Sequence, residues 1–379
     1  SKHIQCTEHI ALARKTAAQG SVLLKNNGIL PLNSETTSVA VSGPTAADAE
    51  VLLGNFYRGV SANLRTLLEG IVEAAPEGTR VTYLKGTGLH QPNLFESTWA
   101  IGMAENADVI VACIGNSPLM EGEHGECIGT TLGGDRDRMD LPEVQLHWLR
   151  RAKKETGKPL VAVVTSGSPI LMEELHDLAD AILLAWYPGE QGGSAVGDIL
   201  FGHSEPGGRL PVTFPMNADQ VPDFADYSMQ GRTYRYLDAE PLYPFGFGLG
   251  YTQFAYSDLQ LSSGSLTVGE KLDLQVTLRN IGDRKGETVA QLYLADDGDT
   301  EGPRCNLRQF KRVCLGPGES TLLRMTLTPN DFNRVDAEGR SLPGTGTFTA
   351  TVSDGAPGPR AAVLGAPAGP TATFRIQEP

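Results

Sequence analysis

The sequence predicts an α/β domain followed by an all-β domain, and three observations predict it. Residues 1–215 alternate nearly continuous apolar strands with helical segments. Residues 216–255 lose helical period and become dense in aromatics, glycine and proline. From about residue 256 onward, short runs alternate apolar and polar residues with period two between turn residues. A chain of 379 residues is also longer than one compact domain usually is. The expected division is therefore an α/β domain at 1–215, an ordered linker at 216–255 and a β-sandwich at 256–379.

The elements follow in order. "TEHIALARKTAAQGSVLLKN" reads as a helix with Thr7 as N-cap, and "SVAVSG" (38–43) as a short buried strand. "AEVLLGNFY" and "NLRTLLEGIVEAA" are helical material, and "RVTYLKG" (80–86) is a strand. "FESTWAIGMAENA" is a helix and "DVIVACIGN" (108–116) an almost wholly apolar strand. "LPEVQLHWLRRAKKETG" is an amphipathic helix, with Pro142 suited to its first turn and Gly157 to its stop. "PLVAVVTSG" (159–167) and "AILLAWYPG" (181–189) are buried strands, with "MEELHDLA" between them and "GGSAVGDILFG" after them as helices. Continuous apolar strands alternating with helices predict a mostly parallel sheet covered on both faces, an α/β/α sandwich. Its working loops leave the carboxyl ends of the strands, here after 108–114, 159–165 and 181–186. In the last third, "KLDLQVTLRN", "ETVAQLYLAD", "QFKRVCL", "STLLRMTLT", "GTFTATVSD" and "TATFRI" predict a seven-strand immunoglobulin-like sandwich. The linker's aromatics are expected to be buried.

Composition excludes several classes. A net charge of −14 argues against nucleic acid or an anionic membrane surface as partner. No apolar run reaches the about 18 residues that cross a bilayer, so a soluble protein is expected. The N-terminus carries no signal-peptide core and opens almost directly into a helical pattern, as a cut inside a larger protein would. The compartment stays open between secreted or periplasmic and cytoplasmic. Five scattered cysteines without a CxxC pair suggest no metal or redox role, although Cys305 and Cys314 are candidates to bridge in an oxidising compartment. No HExxH or other metal spacing occurs among the histidines, and no GxGxxG or GxxxxGK[ST] loop is present, so no metal or cofactor is expected.

The unusual stretch is "GNSPLMEGEHGECIGTTLGGDRDRMDLP", residues 115–142, which places Glu121, Glu123 and Glu126 among glycines and ends on an Asp-Arg-Asp-Arg run. Such a loop on a strand end suits general acid/base chemistry, in which a carboxyl group kept protonated near neutral pH donates a proton. A solvated acidic loop without chemistry is the bland alternative. "TSGSPI" (165–170) is not GxSxG and reads as an ordinary strand-to-helix turn. Trp186 and Tyr187 read as core packing in preference to a sugar-stacking role, and Glu190 is a secondary candidate.

Together these segments resemble the C-terminal two-thirds of glycoside hydrolase family 3, the β-glucosidase and β-xylosidase family. "ALARKTAAQGSVLLKNNGILPL" looks like the opening of that family's second domain, and "LLGNFYRG" with "RTLLEGI" is similar to a further stretch of it. "AWYPGEQGGSAVGDILFGHSEPGGRLPVTFP" looks like its signature, and "GRTYRY…PLYPFGFGLGYTQF" resembles its linker. "ETVAQLYL" and "RQFKRVCLGPGES" match its fibronectin type III-like domain. The resemblance implies a retaining β-glycosidase that releases terminal non-reducing β-D-glucosyl or β-D-xylosyl units without a cofactor. It implies that the Asp nucleophile lies on an N-terminal (β/α)8 barrel that this chain does not contain. By the match of "MEGEHGE…GGDR" to the branch with "LEGEE…GGDR", Glu123 is the acid/base, with Glu121 as alternative and Glu126 third. His124 is placed to tune Glu123, and Asp135 and Arg136 to anchor the loop through an ion pair. Phe56 and Tyr57 are candidates to reach over a neighbouring barrel cleft. Expected partners are a β-glucoside or β-xyloside oligosaccharide, the barrel domain and a second copy of the chain. The competing function class is a non-catalytic carbohydrate- or protein-binding module.

Overall fold

The computed structural model describes residues 4–54, 61, 63–122, 125, 127, 136 and 138–379. The chain divides into two compact units, Ser1–Gly208 and Arg209–Pro379.

The first unit is built on a six-stranded sheet. Its strands are β1 (Val22–Asn26), β2 (Ser38–Ser42), β3 (Arg80–Tyr83), β4 (Val109–Gly115), β5 (Leu160–Thr165) and β6 (Ala181–Leu184), in the spatial order β1-β6-β5-β4-β2-β3. From β3 to β6 every pairing is parallel. Every residue of β2, β4, β5 and β6 is buried, which requires cover on both faces of the sheet. The cover consists of α1 (Thr7–Gly20), α2 (Leu67–Ala74), α3 (Leu94–Glu105), α4 (Glu143–Thr156), α5 (Glu173–Leu178) and α6 (Gly192–Leu200). Their mutual contacts fall into two sets, α1 and α2 on α6, and α3 and α5 on α4, as in an α/β/α sandwich.

One predicted helix is corrected. The run read as helical from Thr7 through Asn26 breaks at Ser21, whose backbone is extended, and continues as β1. Val22, Leu23 and Leu24 are fully buried, and β1 pairs antiparallel with β6. An open sheet edge offers these apolar residues more burial than one more helical turn would. Thr7 is the first helical residue, and Cys6 holds the N-cap position without a side-chain cap. In "AEVLLGNFY" only a single 3-10 turn, Glu50–Leu52, forms among the described residues.

Local chemistry sets the other boundaries. Thr66 and Glu69 form a reciprocal capping box at the start of α2. Gly157 ends α4 in the left-handed region, with its N–H donating to the Lys153 carbonyl. The crossing of α2 on α6 is so close that a Cβ on Gly70 would sit 1.8 Å from the Gly193 carbonyl oxygen.

The second unit holds a β-sandwich. β7 (Phe254–Leu261), β8 (Ser265–Thr267), β9 (Leu272–Asn280), β10 (Gly286–Asp296), β11 (Asn306–Leu315) and β12 (Ser320–Leu327) are followed by β13 (Asn333–Val335), β14 (Ser341–Pro343), β15 (Gly346–Ser353) and β16 (Thr371–Gln377). One sheet runs β11-β10-β15-β16-β8 and the other β12-β9-β7, with β13 and β14 as a separate hairpin. The sandwich thus has eight strands instead of the expected seven. Period two is clearest in β9, where Leu272, Leu274, Val276 and Leu278 all enter the core. The aromatic stretch before β7 is partly buried: Phe214, Tyr243 and Phe247 are in the core, while Phe224 and Tyr227 are exposed. Cys305 is buried just before β11 and Cys314 lies exposed near that strand's far end, so about 30 Å of extended chain separates two free thiols. No helix among the described residues is long and apolar enough to cross a membrane.

Candidate active site

The carboxyl ends of β4, β5 and β6 meet at one carboxylate. The floor is the β4–β5 pair. Gly115 takes a positive φ of 121°, and a Cβ there would lie 2.1 Å from the Thr165 carbonyl oxygen. The Asn116 N–H donates to that same carbonyl oxygen at 2.7 Å, and Thr165 Oγ1 donates to the Asn116 carbonyl at 2.9 Å. Gln145, fully buried on α4, accepts from the Gly115 N–H at 2.8 Å and donates to the Gly115 carbonyl at 2.9 Å. The helix therefore fixes the last residue of β4 through both backbone groups, where the glutamate-rich loop begins.

That loop opens with Ser117 capping a 3-10 turn, Pro118–Met120, which delivers Glu121 back over the strand ends. The Glu121 side chain is only 12% exposed. Its Oε1 accepts from Arg136 Nη1 at 2.9 Å, Ser168 Oγ at 2.8 Å and Asn116 Nδ2 at 3.2 Å. Its Oε2 accepts from the Gly167 N–H at 3.0 Å and from the Tyr187 hydroxyl. Asn116 follows β4, Gly167 and Ser168 follow β5, and Tyr187 follows β6, so three strand-end loops and the far end of the glutamate loop converge here. Arg136 completes the lock by donating to Ser168 Oγ at 3.0 Å and, through Nε and Nη2, to the Arg138 carbonyl.

Electrostatics decides the charge of this group. Burial alone pushes the Glu121 carboxyl up. The hydrogen bonds from Tyr187, Ser168, the Gly167 N–H and Arg136 outweigh it and hold the carboxyl below its ordinary value. Burial and the Glu121 charge push the Tyr187 phenol up, which keeps it a neutral donor. The donors around Glu121 therefore favour its ionised form.

Two sequence readings change. The "TSGSPI" turn is more than a connection, because Gly167 and Ser168 both bind Glu121. Tyr187 is half-buried, and its hydroxyl does polar work in place of core packing. Trp186 beside it is also half-buried and takes a positive φ of 59°, a strained conformation for a bulky residue. Nothing in the sequence links residues 121, 136, 168 and 187; only the strand order does. Glu123, His124, Glu126 and Asp135, like Phe56 and Tyr57, lie outside the described residues. Among the described residues, no group of three or more His, Cys, Asp or Glu side chains is arranged to hold a metal ion.

An α/β/α unit with a glutamate loop at its strand ends, followed by a fibronectin-like sandwich, defines a class that comparison identifies. Residues 21–251 match the glycosyl hydrolase family 3 C-terminal domain, and residues 288–356 match the fibronectin type III-like domain. The chain belongs to glycoside hydrolase family 3. It is 33% identical to a β-xylosidase of Formosa agariphila over 358 residues, covering 91% of this chain and 48% of the relative. It is 35% identical to a periplasmic β-glucosidase of Salmonella typhimurium over 346 residues, covering 82% of this chain and 44% of the relative. Among solved structures, a β-glucosidase from Erythrobacter marinus superposes with a TM-score of 0.84 at 32% identity, covering 99% of this chain and 51% of that one. The chain thus spans about half the length of the curated relatives it matches.

Proposed function

We propose that this chain supplies the acid/base half of a retaining β-glycosidase that releases terminal β-D-glucosyl or β-D-xylosyl units. In this reading residues 1–215 carry the acid/base loop, 216–255 link, and 256–379 form the sandwich. The observation that carries it is the convergence on Glu121. In a glutamate-rich loop, Glu121 near the start and Arg136 near the end pair with each other at the carboxyl ends of the strands. Retaining hydrolysis needs a nucleophilic carboxylate and a proton-donating carboxyl about 5–5.5 Å apart. Glu121 is held ionised, so the proton donor in this reading is Glu123, and Glu121 with Arg136 positions it. The nucleophilic Asp is supplied by a barrel domain of the longer enzyme, consistent with the half-length coverage of the relatives.

The test compares Glu123→Gln and Glu121→Gln in the complete enzyme. Glu123→Gln should lower kcat/KM on an unactivated disaccharide by about 10²–10⁴-fold. It should act more weakly on an aryl glycoside whose leaving group needs no protonation. Glu121→Gln should impair both substrates alike. A leaving-group-dependent defect in Glu121→Gln, with Glu123→Gln at wild-type activity, would move the acid/base role to Glu121.

A further inference from the structure

The second unit contains a cavity of about 500 Å³ that the hydrolytic reading does not use. It is lined by Arg235, Arg308, Asn306, Asn330 and Asp331 among others. Arg308 enters it from an irregularity in the sandwich. Along the β10–β11 pair, Leu292 faces Gln309 and Tyr293 faces Leu307, so Arg308 is the extra residue of a bulge on the edge strand β11. Bulges re-aim a side chain and interrupt pairing, which an ordinary edge strand does not need. Arg235 belongs to the short helical turn Thr233–Tyr236, whose first residue takes a positive φ of 58°, a strained state for a β-branched side chain.

The two guanidiniums are short of acceptors, although that of Arg235 lies over the Tyr236 ring at 5.6 Å. The Nε atoms of Arg235 and Arg308 are both buried without a hydrogen-bond acceptor. Among the described residues, neither side chain forms an ion pair. Burial lowers the Arg308 pKa, Asp331 raises it, and the charge of Arg235 lowers it further. Four acids also line the cavity: Glu301 is exposed, and the other three have donors of their own. Asp296 is held by Arg334 at 2.6 and 2.7 Å, Asp331 accepts from the Thr328 N–H and hydroxyl at 2.7 and 2.8 Å, and Asp299 accepts from the Gly302 N–H at 2.9 Å. Two buried guanidinium Nε–H groups without acceptors in one cavity call for an acceptor that reaches both. A planar guanidinium fork matches a carboxylate, and neighbouring amides match hydroxyl groups.

We propose that this cavity binds a carboxylate-bearing saccharide, that is, a uronic acid unit, with Arg308 and Arg235 clasping the carboxylate. The volume falls in the usual range for small-molecule sites, about 300–1,000 Å³. The proposal is independent of which glutamate is the acid/base and of whether this chain hydrolyses anything.

The test is calorimetric or NMR titration of this chain with D-glucuronate, D-glucose and inorganic phosphate. Glucuronate should bind saturably, and glucose at least about tenfold more weakly. Arg308→Ala and Arg235→Ala should each weaken glucuronate about tenfold or more. Arg308→Lys, which keeps the charge and loses the fork, should also weaken it, in protein whose melting matches wild type. Absence of saturable binding would overturn the proposal, as would unchanged affinity in Arg308→Ala and Arg308→Lys. Phosphate binding as tightly as glucuronate would reduce the site to a general anion site and overturn the sugar-acid assignment.

Discussion

At the scale of single residues, Glu121 and Arg136 form a pair in which each side chain is 12% exposed, so removing Arg136 takes a charged donor from a buried carboxylate. Arg136→Met should cost about 1.5–3 kcal/mol, the range for hydrogen bonds to charged groups, read as a shift in urea midpoint. Tyr187→Phe removes one neutral donor among several and should cost about 0.5–1.5 kcal/mol. The pair also sets a pH dependence. The Glu121 carboxyl is held below its ordinary value in the folded state, so its contribution is fully present above the unfolded carboxylate pKa of about 4.3. That contribution fades as pH falls toward the lower folded value. Glu121→Gln should therefore be less stable than wild type at neutral pH, and the two urea midpoints should converge in acid. A gap independent of pH would show that the carboxylate's charge is not what stabilises the loop. The sequence marked the loop as unusual and named Glu121 and Arg136. It did not reveal Ser168 and Tyr187 as partners, because those lie 47 and 66 residues from Glu121 and meet it only through the strand order.

At the scale of elements, the first unit depends on how closely α2 and α6 approach. The "GG" at the start of α6 and Gly70 on α2 bring backbone against backbone: a Cβ on Gly193 would lie 1.9 Å from the Thr66 carbonyl oxygen, and one on Gly197 2.1 Å from that of Gly70. Rigid backbone on both sides cannot yield as a flexible side chain would. Gly70→Ala should cost about 3 kcal/mol, at the upper end of overpacking effects, although alanine favours helix intrinsically. Thr66→Ala, which removes the capping box of the same helix, should cost only about 1 kcal/mol. Thermal melts of the two variants distinguish packing from capping; equal losses would mean that the crossing relaxes. Such elements were legible where local chemistry and tertiary burial agree. The apolar runs of β4, β5 and β6 and the stop of α4 at Gly157 were readable for that reason. β1 was not, because "SVLLKN" continues the helical pattern of α1, and only the unpaired edge of β6 makes it a strand.

At the scale of the whole molecule, the two units differ in how they are held and in what each needs. The second unit closes its own core between two sheets, with Phe332, Phe348 and Phe374 packed ring on ring at 5.7–5.8 Å. A fragment of residues 209–379 should therefore fold alone, with cooperative melting and a β-type circular dichroism spectrum. The first unit also folds around its own sheet, and in the proposed reading its loop supplies one of the two carboxyl groups that hydrolysis needs. Glu121 in the loop after β4 pairs with Arg136, and Glu123 and Glu126 follow it in the same stretch of sequence. Displacement at an anomeric carbon with retention needs a second carboxyl group facing the first across the sugar. In the proposed reading that second group comes from another domain. These 379 residues should accordingly show no turnover of an aryl β-glucoside or an aryl β-xyloside. The longer enzyme should hydrolyse at least one of them, and Glu123→Gln should slow it most on the substrate with the poorer leaving group. Turnover by this chain, in material free of any second polypeptide, would place a nucleophile within it and refute the division of the site between two domains.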